Sequence, residues 1–322
     1  MAVASPPALT PRDWLLDTGS PVIRRLARIR LLQLPLVDPA VAGLTAGLAA
    51  DPWIAALLGA PDGGHPYRKW IGAHWRLIAL ADLGVSLDVP GAETSIRDGF
   101  DKTVAWLLSA SRLRRIRPMN GRVRGCASQE GGALWAACRL GLGNDLRAAR
   151  LAELLVDRQW PDGGWNCDVR PVAAHSSFNE SWQPLAGLAA FQRLDAGGAP
   201  EGLHDAIDRA AAFLLRHRVV ESERTGELAN PRLELLRWPS YWHYGLLPGL
   251  RALAEAGRLG EPEVVPAKRR LEGLRSTDGR WRPDGRWWAS PGARERSDVL
   301  SWGIDGEARM LTLSALEILG SG

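Results

Sequence analysis

The chain of 322 residues has only three cysteines, three methionines, three tyrosines and four phenylalanines. Lysine is equally scarce, at Lys69, Lys102 and Lys268, although Lys and Arg together number 40. Three cysteines do not make a disulfide framework, so a reducing cytoplasm is the expected compartment. No apolar run approaches the roughly 18 residues needed to span a bilayer, so no transmembrane segment is expected. The first ten residues lack a basic segment followed by an apolar core, so no signal peptide is read there. Alternating runs of β-branched residues are missing, which argues against a sheet. The net charge is +4, and its arginines are mostly interleaved with acids, so no nucleic-acid partner is read from charge.

What is abundant is tryptophan, with 15 residues, and glycine, with 35. They meet in Arg158-Gln159-Trp160-Pro161-Asp162-Gly163-Gly164-Trp165-Asn166-Cys167. An apolar helical run over residues 152–155 leads into it. Pro161 cannot continue a helix, and Asp-Gly-Gly turns tightly with positive φ at little steric cost. Trp165 leaves the turn as a large anchor with one N–H donor. Weaker copies stand at Pro61-Asp62-Gly63-Gly64, at Asp278-Gly279-Arg280-Trp281 and at Pro283-Asp284-Gly285-Arg286-Trp287. Upstream, residues 11–60 read as short helices. Val22, Ile23, Leu26, Ile29 and Leu32 have helical spacing, and Asp38-Pro39 and Asp51-Pro52 each put a cap before a helix-starting proline.

Gln159-x-x-Asp162-Gly163-Gly164-Trp165 resembles the Gln-Trp repeat of the squalene-hopene and oxidosqualene cyclases, whose repeat fold is shared by protein prenyltransferase β subunits. The resemblance implies an all-α protein, an α/α toroid of alternating inner and outer helices around a central cavity. It implies a single domain with a helical N-terminal cap over residues 1–64 and the toroid over residues 65–322.

A repeat is visible in that second part. Similar phrases end on Gly84, Gly141, Gly197, Gly257 and Gly320, about every 60 residues, enough for two helices and two connections. The glycines fit helix C-caps. The helices before them are apolar nearly all round, as in Trp70, Ile71, Ala73, Trp75, Leu77, Ile78 and Leu80, and so are buried on most faces. Residues 145–155 and 203–218 are amphipathic instead. That is the contrast expected between inner and outer helices.

Closure of such a barrel puts the N-terminal ends of the inner helices at one mouth, which makes the residues there the candidates for chemistry. Cys126 precedes the second inner helix. Cys167, Asp168, His175 and Phe178 precede the third, Trp242, His243 and Tyr244 start the fourth, and His74 lies just inside the first. By type and number, Cys126, Cys167, His175 and His243 form a Cys₂His₂ set for zinc. Cys138, mid-helix between apolar neighbours, reads as core. His74, Asp168, Trp242 and Tyr244 are the candidate catalytic residues. Arg122, Arg124, Trp75 and Phe178 are the candidates for binding substrate.

The prenyltransferase resemblance implies zinc held by an Asp and a Cys before one inner helix and by a His at the start of a later one. Cys126 and His243 look like that Cys and that His. Arg124 stands where the Asp is implied, which leaves a ligand for Cys167 or His175 to supply. The resemblance also implies that the arginines at 112, 114, 115, 117, 122 and 124 hold a prenyl diphosphate, and guanidinium forks suit phosphate oxygens. No Asp-x-Asp-Asp acid motif and no Asp-Asp-x-x-Asp motif occurs, and the chain is one toroid long, so the usual triterpene cyclisation is not expected. The expected function is a zinc-dependent enzyme acting on an isoprenoid or other apolar small molecule. The alternatives are a non-catalytic ligand- or partner-binding toroid with a structural zinc, and an (α/α) glycosidase using Asp305 and Glu307.

Overall fold

The structure is a computed structural model, and it describes residues 9–60, 64–116, 118–195, 198–285 and 300–320. The expected turn at 61–63, Arg117, Gly197 and Trp287 lie outside the described residues.

The chain is all-α. It opens with helices α1 (Pro11–Leu16), α2 (Pro21–Arg30), α3 (Pro39–Ala46) and α4 (Pro52–Gly59). Each begins with proline, whose fixed φ suits the first turn, and each is capped by the residue before it. Thr10, Ser20, Asp38 and Asp51 accept from the backbone N–H groups of Asp13, Ile23, Ala40 and Trp53. The helices that follow are α5 (Ala73–Asp82), α6 (Glu93–Leu107), α7 (Ala110–Leu113), α8 (Ala127–Leu140) and α9 (Leu146–Asp157). Then come α10 (Phe178–Gln192), α11 (Leu203–Arg216), α12 (Leu246–Glu255), α13 (Val265–Gly273) and α14 (Ile304–Leu319).

Two classes of helix alternate. Every residue of α5 is buried, and α8, α10, α12 and α14 are buried on most faces. By contrast α9 and α11 bury one stripe of Ala and Leu and expose the other face. The buried helices pack in succession: α5 on α8, α8 on α10, α10 on α12, α12 on α14, and α14 on α2. The amphipathic ones lie outside these seams, α6 against α5 and α8, α9 against α8 and α10, α11 against α10 and α12, and α13 against α12 and α14. The buried helices run parallel. Gly131 and Leu134 of α8 face Pro184 and Gly187 of α10 in turn, and α10 and α12 meet at their heads through Asn179 and Tyr244 and at their ends through Arg193 and Glu255, so depth increases together. The N-terminal segment takes part in the same core, for α2 and α1 both pack on α14 and α4 packs on α5.

The Gln159–Trp165 turn locks one hairpin to the next. The Trp165 indole, 1% exposed, donates to the Leu155 carbonyl at 2.9 Å, and its backbone N–H donates to Ser181 Oγ at 3.1 Å. The Gln159 amide donates to the carbonyls of Gly163 and Ala206, both at 2.8 Å, reaching across to α11. Gly163 has φ of +100°, and a Cβ there would lie 2.3 Å from the Arg209 carbonyl oxygen, so the turn requires glycine twice over. Trp281 repeats the arrangement. Its indole donates to Leu271 O at 2.7 Å and its N–H to Thr312 Oγ1 at 3.1 Å. Gly84, Gly141, Gly257 and Gly320 follow buried helices with positive φ, as helix-ending glycines do.

One element departs from the sequence expectation. Pro118–Met119 pairs antiparallel with Arg122–Val123 as a two-residue ribbon, β1 and β2. Its turn is Asn120-Gly121, both with positive φ, the combination that favours tight hairpins. A ribbon this short carries no alternation to read. No described helix is long and apolar enough to cross a membrane.

Candidate functional site

At the N-terminal ends of α8 and α10 the chain gathers three ligand-type side chains. Cys126 is the N-cap residue of α8, Cys167 lies in the loop before α10, and Glu180 is in the first turn of α10. One ligand atom from each lies within 4.8 Å of the other two, the one such group of His, Cys, Asp and Glu among the described residues. Both cysteines are half-buried and reduced, and Glu180 is buried. Glu180 Oε2 accepts the backbone N–H of Ser128 at 2.9 Å, which ties the head of α10 to that of α8.

The electrostatics divide the roles. Cys167 donates its thiol proton to Cys126 and so holds the Cys126 thiol below its ordinary range, with the nearby Arg112 adding in the same sense against burial. The same bond pushes Cys167 up, helped by burial and by Glu180. Glu180 is raised by burial, against the Ser128 N–H bond. Cys126 is therefore the more acidic of the two thiols. Around it, the Tyr67 phenol is held neutral by burial while it hydrogen-bonds Gln129, and the Lys69 ammonium is lowered by burial against the favourable charges of Cys126 and Glu180.

Cys126 and Cys167 come together with Glu180. His175 and His243 stand outside the group. His175 is exposed, and its carbonyl accepts from Asn166 at 2.8 Å. The His243 ring stacks on Trp242 at 4.3 Å and tilts against Trp70 at 5.5 Å, and burial pushes its pKa down to about 4. The Lys69 ammonium lies over Trp242 at 4.8 Å and over Trp70 at 5.1 Å. Trp242 accepts Trp182 Nε1 on its carbonyl at 3.0 Å.

The remaining candidates are placed as follows. His74 is buried to 1% exposure among Tyr67, Trp75 and Trp106, with no hydrogen bond at either ring nitrogen among the described residues, and burial lowers its pKa to about 3. Trp75 packs on Tyr67, Trp70 and Tyr241. Phe178 and Tyr244 stack on each other at 4.9 Å, with the Tyr244 hydroxyl donating to Val219 O at 2.6 Å, so they fill the space beside Phe213 of α11. The Asp168 carboxylate turns to Arg170, whose hydrogen bonds hold it down at about 2. Arg124 donates to the carbonyls of Asp168 and Ala173 at 2.5 and 3.0 Å, clasping that loop, and Arg122 lies over Trp160 at 5.6 Å. Arg112 bonds Glu130 and Gln129 at 2.7 and 2.8 Å.

Sequence reasoning missed Glu180. Its signal was a carboxylate in the first turn of an otherwise apolar helix, a feature shared by Glu130 in α8 and Glu307 in α14, all three buried. A helix N-terminus favours negative charge there. No protein-family model matches the chain, and no curated protein matches it.

Proposed function

We propose that the buried helices α5, α8, α10, α12, α14 and α2 close as an α/α toroid, and that Cys126, Cys167 and Glu180 at its N-terminal mouth hold zinc for chemistry on an apolar, isoprenoid-like small molecule. One observation carries this reading: three ligand-type groups from two neighbouring helix heads meet within 4.8 Å. Two thiols and a carboxylate are a donor set suited to zinc, and three protein ligands leave a position open. A bound zinc supplies Lewis acidity, or activates a thiolate or water. The chain's own residues do the rest. Cys126, the more acidic thiol, is the first to give up its proton to a bound metal. Tyr67, kept neutral by burial and hydrogen-bonded to Gln129, keeps its hydroxyl available to donate a hydrogen bond near the sulfurs. Trp70, Trp242 and the His243 ring form an aromatic wall for an apolar body.

Elemental analysis of protein purified without added metal tests the reading. Wild type should carry close to one zinc per chain, and Cys126→Ser and Glu180→Gln should each lower the occupancy at unchanged helix content. Cobalt substitution should give a thiolate charge-transfer band that Cys126→Ser weakens. Metal-free wild type, with Cys126 and Cys167 recovered as a disulfide, would overturn it. Four protein ligands on the bound ion would favour the alternative reading of a ligand- or partner-binding toroid with a structural zinc.

A further inference from the structure

The opposite ends of the same helices enclose a cavity of about 280 Å³. Cys126 heads α8 and Arg139 lies in its last turn, about 20 Å further along at 1.5 Å per residue, so the cavity's charged rim is remote from the thiols. The wall is apolar and aromatic, with Trp135, Trp182, Tyr241 and Ile78 among its residues. The rim is charged. Four guanidinium groups, from Arg30, Arg139, Arg193 and Arg251, face three carboxylates, from Asp82, Glu255 and Glu317. Parallel helices bring their negative C-terminal ends together here, which accounts for some arginine. It does not account for how the charges are paired.

Asp82 is engaged by Arg251 and by the Trp238 indole at 2.6 Å. Glu255 is engaged by Arg139 at 3.0 Å, by Arg193 and by the Trp135 indole at 3.2 Å. That leaves Arg30. One of its nitrogens donates to the Asp82 carbonyl at 2.8 Å, and its nearest carboxylate, Glu317, is 3.8 Å away, beyond hydrogen-bonding distance. Its side chain is only 10% exposed, whereas that of Glu317 is 40% exposed. Burial lowers the Arg30 pKa, and Arg251 and Arg139 push in the same direction against Glu317 and Asp82. A largely covered guanidinium, ion-paired with Glu317 at 3.8 Å but hydrogen-bonded to no carboxylate among the described residues, thus lines an apolar cavity, and the rim's side chains alone carry four guanidinium groups against three carboxylates.

We propose that this cavity binds a small amphiphilic monocarboxylate, its carboxylate on Arg30 and its apolar body between Trp135, Trp182 and Tyr241. The two oxygens of a carboxylate match the guanidinium fork that Glu317 leaves without a hydrogen bond. The apolar wall sets the minimum body, because a bare ion such as acetate leaves it uncovered.

Isothermal titration calorimetry with octanoate and octan-1-ol on the full-length protein tests this. Octanoate should bind saturably, and octan-1-ol, with the same body and no charge, should bind at least about tenfold more weakly. Arg30→Gln should weaken octanoate by about tenfold or more while leaving octan-1-ol unchanged. Glu317→Gln, at an exposed position that folding tolerates, should tighten octanoate, because it removes the carboxylate that competes for Arg30. The proposal is overturned if no saturable heat is seen, if octan-1-ol binds as tightly as octanoate, or if Glu317→Gln leaves octanoate affinity unchanged or weakens it.

Discussion

Replacing Trp165 by alanine is expected to cost about 3–5 kcal/mol, the range of large-aromatic truncations in cores. The structure supplies the parts. The side chain is 1% exposed, and burying a large aromatic removes roughly 150–250 Å² from water, worth about 4–6 kcal/mol at about 25 cal/mol per Å². The indole hydrogen bond to Leu155 O, at 2.9 Å, adds about 1 kcal/mol, and its loss strands a carbonyl in the last turn of α9. Those figures refer to an extended unfolded chain and are an upper bound. Trp165→Phe separates the terms. It keeps most of the ring and loses the N–H, so it should cost about 1–2 kcal/mol. Urea unfolding followed by far-UV circular dichroism gives the midpoints, and an unchanged m value certifies that stability alone has moved. Trp281→Ala should behave alike, since it makes the corresponding bonds to Leu271 and Thr312. An unmoved midpoint in Trp165→Ala, or equal losses for the Ala and Phe variants, would refute the reasoning.

Two further outcomes follow from buried groups. His74 has a folded pKa of about 3 against about 6.5 unfolded, so the stability it lends is present above pH 6.5 and is lost as pH falls below that value. At pH 5 the loss is about 2 kcal/mol, and urea midpoints at pH 7.5 and pH 5 should converge in His74→Phe; equal acid sensitivity in the two proteins rules this out. Gly131→Ala should destabilise by about 1–3 kcal/mol despite alanine's better helix propensity, because the added Cβ meets Pro184 N at 2.3 Å; a raised melting temperature would show that α8 and α10 separate freely.

Features written in a few adjacent residues were legible in the sequence. Asp38-Pro39 and Asp51-Pro52 cap and start helices where expected, and Gln159 to Trp165 folds into a locked turn, because each depends on bonds within or near its own segment. The all-α class followed from the contrast between helices apolar all round and helices with one apolar stripe. The site was half legible. Cys126 and Cys167 come together because both precede neighbouring buried helices. Whether a loop histidine turns inward is decided by local bonds that no periodicity reveals: Asn166 holds the His175 carbonyl, and Asp168 is drawn to Arg170. Glu180 was hidden because an acid in a helix's first turn ordinarily reads as a surface residue favoured by the dipole. The charged rim escaped notice for a different reason. Arg30, Arg139 and Arg251 belong to three separate helices and Arg193 caps a fourth, and they meet only once those helices lie parallel.

The close approach of α8 and α10 has a mechanical consequence. Gly131 and Gly187 allow backbone to touch backbone, with the Gly131 carbonyl oxygen 2.6 Å from where a Cβ on Gly187 would stand. Cys126 heads the first helix, and Glu180 lies in the first turn of the second. The spacing of the two helix heads is therefore gauged by main chain, while the Cys126 and Glu180 side chains keep their own torsions. The heads act as the fixed jaws of a calliper. On the zinc proposal the side chains can turn to meet an ion, but the heads cannot close further without pressing two backbones into each other. The limit on their approach resides in a glycine contact about a turn and a half from Cys126.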